Sequence, residues 1–366
     1  MKKTFLRLLT LFLLIWATTI ASYGQNSQTL NSLSILPEAD TLVYINTQRI
    51  INEVLPRLMP EKDLAELRQG MASVKQMAGV DVTKVEYVVM AVRFRKPTAE
   101  LNFIPPEFMV LSSGDFSADS LMVLARMASG GKLRDEVYGS KTLGLFTIEP
   151  IAKEAEKNPI LKSLSEVAVV PLNATTIAVG TPSYLKAAVD AGSGQGRIST
   201  ENLNSLLRDP NALISISGRP LTAFNKSFGL LGTEVSSRQS RCETSFGDFY
   251  LGVTMDATNF MLRGALNADN PDTAKIVHNL FGGLLAQAIS RVPDKTAQEA
   301  LKSFSITPQN DEIVLRADVP QQTVLNFIKE QMAPKKQQPA TATKPAATTQ
   351  PAKKPAVRTR RRPSRQ

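Results

Sequence analysis

Apolar and polar residues alternate over Leu42–Asn46, Val85–Phe94, Glu107–Leu111 and Thr142–Ile148. Period-two alternation of this length marks a strand with one buried face. Between these runs the period lengthens. Leu64, Leu67, Met71 and Val74 recur at three- and four-residue spacing and predict a helix over about Lys62–Met77, after an earlier helical stretch from Thr47. Another helix is predicted from Ala118 to Met127, capped by Ser117. Val167–Val170 then turns at Pro171–Ala174 into Thr176–Val179. Thr181 is expected to cap the next helix, with Pro182 at its first position, where the missing N–H would be unpaired anyway.

The same grammar recurs further along. Ala212–Ile216 reads as a strand, Phe249–Thr254 and Asn259–Leu266 as a hairpin, and a helix starts at Pro271 with Asn270 as cap and Asp272 in its first turn. Phe304–Thr307 turns at Pro308–Asp311 into Ile313–Ala317, and Pro320 opens a last helix, Gln321 to about Gln331. Val170-Pro171-Leu172-Asn173 matches Thr307-Pro308-Gln309-Asn310, and each is followed by a strand and a proline-opened helix. The ordered recurrence points to a degenerate tandem duplication; two unrelated hairpin-and-helix halves are the alternative.

The predicted class is therefore α+β: two related halves of antiparallel hairpins, with helices packed on one face of the sheets. The expected layout is a signal peptide over 1–24, a flexible stretch over 25–33, halves over 34–200 and 201–332, and a disordered tail over 333–366. Leu36-Pro37-Glu38-Ala39-Asp40-Thr41, the step Gly114-Asp115-Phe116-Ser117-Ala118-Asp119 and the Asn173–Pro182 hairpin carry a likeness. With them the chain resembles a group of bacterial exported proteins of unknown function with an L-P-x-x-D-T-like opening. The resemblance spans most of Ser34–Ala333 and implies export, and no activity comes with it.

The two ends change the meaning of the charge. Lys2, Lys3 and Arg7 precede an apolar run from Leu8 to Ile20, and small residues follow, which is the form of a secretory leader. Cleavage is expected after Gly24, with Ala21 as the second choice and an uncleaved anchor as the third reading. The run is short for a bilayer span, so no transmembrane helix is expected after cleavage. Cys242, the only cysteine, lies far from the leader, which excludes a lipid-modified amino terminus and any internal disulfide. The tail carries Lys335, Lys336, Lys344, Lys353, Lys354, Arg358, Arg360, Arg361, Arg362 and Arg365, and no acid. Of the 43 basic residues, 30 remain in the body against all 33 acids, a net of −3. The body is thus not a basic nucleic-acid-binding domain. The ten tail cations are the expected contact with an anionic envelope component, either lipid headgroups or polysaccharide.

Candidate chemistry is sparse. One histidine, His278, and one cysteine exclude ordinary His- or Cys-based zinc sites and Cys–His catalysis; His278 reads as structural. Neighbouring arginines would favour a Cys242 thiolate, with an ordinary free thiol as the default reading. Ser183-Tyr184-Leu185-Lys186 matches S-x-x-K, the spacing by which a lysine activates a serine, but the K-T-G and S-D-N companions are missing. Gly192–Arg197 is glycine-rich but leaves a helix instead of entering one, so it reads as a connection between the halves and not as a phosphate cradle. No cofactor is expected. The reading is a non-enzymatic protein of the periplasm or exterior, peripheral to the membrane, whose body binds a partner. A carrier of a lipid or other apolar ligand is the alternative, and a serine hydrolase using Ser183 and Lys186 the remote one.

Overall fold

The computed structural model describes residues 32–95, 106–147, 166–219, 246–268, 270–292 and 295–332. The expected leader, Cys242 and the expected tail lie outside them. The chain divides into two compact units, Met1–Phe327 and Ile328–Gln366, and the sheet belongs to the first.

Strand β1 (Thr41–Ile45) stops where the Asn46 side chain accepts the Arg49 N–H and starts helix α1, residues 47–58. A π-helical turn, Ile50–Val54, lies in its middle, just before Pro56, which has no N–H to donate to the preceding turn. Helix α2 (Glu61–Ala78) has Glu61 and Asp63 in its first turn and ends at Gly79, whose φ of 67° closes the C-terminus. Strands β2 (Val85–Arg93) and β3 (Glu107–Gly114) lead to α3 (Ala118–Ala128), and Ser117 accepts the Ser120 N–H as its cap. Then come β4 (Arg134–Tyr138), β5 (Lys141–Thr147), β6 (Glu166–Asn173), β7 (Thr176–Gly180), α4 (Pro182–Gly192) and α5 (Thr200–Leu206). The remaining elements are β8 (Ile214–Gly218), β9 (Phe246–Met255), β10 (Asn259–Ala268), α6 (Pro271–Arg291), α7 (Lys295–Lys302), β11 (Ser305–Gln309), β12 (Glu312–Pro320) and α8 (Gln321–Met332).

The twelve strands among the described residues form one antiparallel sheet in the order β11-β12-β10-β9-β8-β1-β2-β3-β7-β6-β5-β4. Outward from the centre, one side runs β1-β2-β3-β7-β6 and the other β8-β9-β10-β12-β11, so the connectivity of the first half recurs in the second. The β4–β5 hairpin is an addition to the first. The halves meet where β1 pairs with β8, Val43 opposite Ile216.

Alternation along the strands assigns every residue to one of two faces. On one face, Leu42, Tyr44, Val89, Ala91, Met109, Leu111, Ala178 and Val170 are buried under Tyr184, Leu185, Ala188 and Val189 of α4 and Leu203 and Leu206 of α5. On the other, Ile45 and Val88 pack against Ile50, Val54 and Leu55 of α1 and Leu64 of α2. Helix α3 covers Val169 and Ile177 there, and α6 covers Ile313 and Leu266. The expectation of helices on a single face is therefore corrected for the first half. Its strands are apolar on both sides, because successive residues such as Val88-Val89 and Ile177-Ala178 are both buried.

Other local expectations are also corrected. Thr181 stands at the N-cap of α4 but makes no side-chain cap bond; its hydroxyl lies 3.4 Å from the Phe108 carbonyl instead. Pro171 and Pro308 lie within β6 and β11, and the turns follow at 174–175 and 310–311, the second with Asn310 at a φ of 56°. Pro171 is tolerated because the β5–β6 ladder ends at Gly144↔Val169, and Pro308 because β11 is an edge. Residues 200–206, for which no element is predicted from the sequence, form α5, with Ser199 accepting the Asn202 N–H. Strand β4 has no apolar alternation to announce it. Its Arg134-Asp135-Glu136 run guards the other edge, with Arg126 paired to Asp135 and Arg134 to Glu166.

Close strand approach leaves no room for a side chain at Gly180. A Cβ at Gly180 would stand 2.2 Å from the Phe108 carbonyl oxygen and 2.8 Å from the Met109 Cα, both backbone atoms that cannot swing away. Gly180→Ala is expected to destabilise by about 1–3 kcal/mol. It should lower the urea midpoint at unchanged slope; an unchanged midpoint would contradict this packing.

Candidate functional site

The register of the sheet lines up side chains across strands on the face that carries α1. The central row reads Val169, Val179, Val110, Met90, Val43, Ile216, Leu251, Gly264, Leu315 and Ile306, from β6 to β11. Ten strands thus contribute to it with no polar side chain. Only Val169 and Gly264 are buried; Met90 is 38% exposed, and the other seven are half-buried. A parallel row, Phe108, Val92, Thr41, Gly218, Phe249 and Leu266, is half-buried throughout. The next row on the other side, with Val88 and Ile45, is closed over by α1 and α2. Helices α1, α2, α3 and α6 pack against Val43, Val110, Val169, Val179 and Ile306 of the central row and Leu266 of the parallel one, and Met90, near the middle, is the exposed member. Apolar side chains that the fold leaves only partly buried, and aligned across strands, offer a surface against which an apolar contact could close.

The opposite face of the second half is polar where the first half is apolar. Ser215, Ser217, Tyr250, Thr254 and Arg263 stand there. At the β1–β8 junction this face borders a cleft of about 330 Å³ lined by Glu38, Asp40, Arg93, Asn202, Arg219 and Asp248. Several of its charges are engaged: Asp40 accepts the Phe94 N–H at 2.6 Å, Arg93 pairs with Glu107, and Arg219 pairs with Asp248 at 3.4 Å.

The S-x-x-K residues are not brought to each other. Ser183, in the first turn of α4, donates its hydroxyl to the Glu107 carboxylate at 2.5 Å, while the Lys186 ammonium pairs with Glu136 at 2.5 Å. Glu107 is buried at the start of β3 and takes Arg93 of β2 at 2.5 Å, with Arg95 as a second ion-pair partner. Burial works against its charge, but hydrogen bonds from Ser183 and Arg93 and the two guanidinium charges outweigh that and hold its carboxyl below the usual range. A carboxylate so held is a poor proton acceptor for Ser183. The arrangement ties α4 to β2 and β3. Arg93 also lies over the Tyr184 ring, 4.6 Å from its centroid, and the Tyr184 hydroxyl donates to the Glu38 carbonyl at 2.8 Å.

His278 lies half-buried on α6, its Nδ1 buried without a hydrogen-bond partner among the described residues. No cluster of three or more His, Cys, Asp or Glu that could hold a metal occurs among the described residues. The glycine-rich stretch after α4 folds back on that helix: Gln195 donates to the Asp190 carbonyl and Arg197 to that of Ala191. It has the geometry of a helix C-terminus, as its sequence position implied. The ten tail cations fall outside the described residues. Sequence reasoning missed the apolar row because each strand shows only its own alternation, and the signal is the cross-strand register.

No protein-family model and no curated protein matches the chain. Among solved structures, crystal form III of TP0453 is similar at 10% identity with a TM-score of 0.42, covering 81% of this chain and 97% of that one. Crystal form I of TP0453 is similar at 11% identity and a TM-score of 0.40, covering 81% and 96%. No helix among the described residues is long and apolar enough to cross a membrane.

Proposed function

We propose that this protein is a non-enzymatic, exported binding protein that takes an apolar or amphiphilic molecule, such as a lipid chain, against the central apolar row of the α1 face. The basic tail holds it near an anionic envelope surface. The observation that carries the reading is the central row: ten strands in register, no polar side chain, and most members partly open to solvent. Burying such surface against an apolar ligand releases water at about 25 cal/mol per Å². The central row carries no polar side chain that would fix a particular headgroup, so selectivity by chain length and shape is expected over selectivity by polar chemistry.

A fluorescent fatty acid titrated into the full chain should bind saturably, and organic extraction of the purified protein should release an apolar compound. Met90→Asp with Ile216→Asp sets two charges at the centre of the row and is expected to weaken probe binding at least roughly tenfold, since a buried unpaired charge is so costly. Probe affinity unchanged in a folded double variant would end this reading. Loss of Ala333–Gln366 is expected to abolish salt-sensitive association with envelope fractions and leave probe binding intact.

A further inference from the structure

The two halves place one unfavourable feature at the same position. Helix α3 follows the β2–β3 hairpin, and α6 follows its counterpart, the β9–β10 hairpin. Each is capped by a short polar side chain, Ser117 accepting the Ser120 N–H at 3.2 Å and Asn270 accepting the Thr273 N–H at 2.8 Å. Counted from these caps, the sixth and tenth residues are Val123 and Met127 in α3, and Ile276 and Leu280 in α6. Both pairs point away from the sheet, at 55%, 64%, 60% and 44% exposure. The sides facing the sheet are filled in the ordinary way, by Ala118 and Met122 in one helix and by Ala274 and Val277 in the other. Solvent-facing positions of a surface helix are normally polar, yet four large apolar side chains stand exposed at these matched sites.

We infer that the Val123/Met127 and Ile276/Leu280 pairs are anchors that insert into the interface of an anionic lipid surface. Two features favour lipid over a protein partner. Each pair offers only two side chains one helical turn apart, far short of the roughly 1,200–2,000 Å² that a stable protein interface buries. A lipid interface needs no shape complementarity and gains from each inserted side chain separately. The charge also fits: the ten tail cations come without a single acid, and a tail attraction plus apolar insertion is the two-signal arrangement that gives stable attachment. This goes beyond ligand binding on the sheet face, which uses other residues.

The test is co-sedimentation of the full chain with phosphatidylglycerol-containing and pure phosphatidylcholine vesicles at low salt and at about 1 M salt, where the screening length falls to about 3 Å and the tail is silenced. The full chain is expected to keep a salt-resistant share of its binding. The variant Val123→Asn, Met127→Asn, Ile276→Asn and Leu280→Asn should lose that share at least roughly tenfold, with unchanged thermal unfolding because the sites are exposed. Equal salt-resistant binding by variant and parent overturns the inference, as does a parent that leaves the vesicles entirely at high salt. A parent that self-associates where the variant is monomeric reassigns the pairs to a second copy and overturns it too. Fatty-acid probe binding separates the readings: its loss in the four-site variant would mean the helices belong to the ligand site and would overturn a distinct lipid anchor. Its absence in the parent overturns the sheet-face reading alone.

Discussion

Replacing Tyr184 by alanine is expected to remove about 4 kcal/mol of stability, as truncation of a large buried aromatic does. Tyr184 is the largest fully buried side chain among the described residues and sits where α4 meets the first-half strands. Its ring packs in the main apolar cluster and receives the Arg93 guanidinium on one face, and its hydroxyl serves the Glu38 carbonyl. Burial pushes its phenol pKa up, so it stays neutral over the working range. Tyr184→Phe removes only the hydroxyl and should cost about 1 kcal/mol. Urea unfolding of both variants checks the pair, and a loss for alanine no greater than that for phenylalanine would show that the ring is not holding α4.

Removing the Glu107 carboxylate is expected to cost about 3 kcal/mol, towards the low end for breaking a buried ion pair because the two arginines keep partial access to water. The side chains of Arg93 and Arg95 are 30% and 47% exposed, against 6% for Glu107. The pH dependence has a definite sign. The folded carboxyl titrates below its unfolded value of about 4.3, so its contribution is complete above that pH and disappears as pH falls through the lower folded value. The parent chain should therefore lose stability on acidification below about pH 4, and Glu107→Gln should lack that component. Parallel pH profiles for parent and variant would refute the account. Arg93 touches both Glu107 and Tyr184, so Tyr184→Ala and Glu107→Gln should combine non-additively.

Much of the architecture was legible along the chain because it is written in local chemistry. Ser117 and Asn270 cap their helices as short polar side chains do, and Pro182 and Pro271 open theirs where no N–H is needed. The period-two runs became strands, and the matched Val170–Asn173 and Thr307–Asn310 segments fell on β6 and β11, which hold equivalent places in the sheet. Where local signals were weak, elements went unseen. The charged strand β4 pairs only along one edge, and α5 is too short to show a period.

By itself, then, the sequence determined the α+β class, the hairpin order, the recurrence of the two halves and the scarcity of catalytic groups, since each depends on neighbouring residues or on plain counts. Tertiary structure alone decided that the halves share one sheet through β1 and β8, that helices lie on both faces of the first half, and that Ser183 belongs to Glu107 and not to Lys186. It alone assembled the apolar row, one residue from each of ten strands, because register sets which distant side chains become neighbours and no local pattern records it.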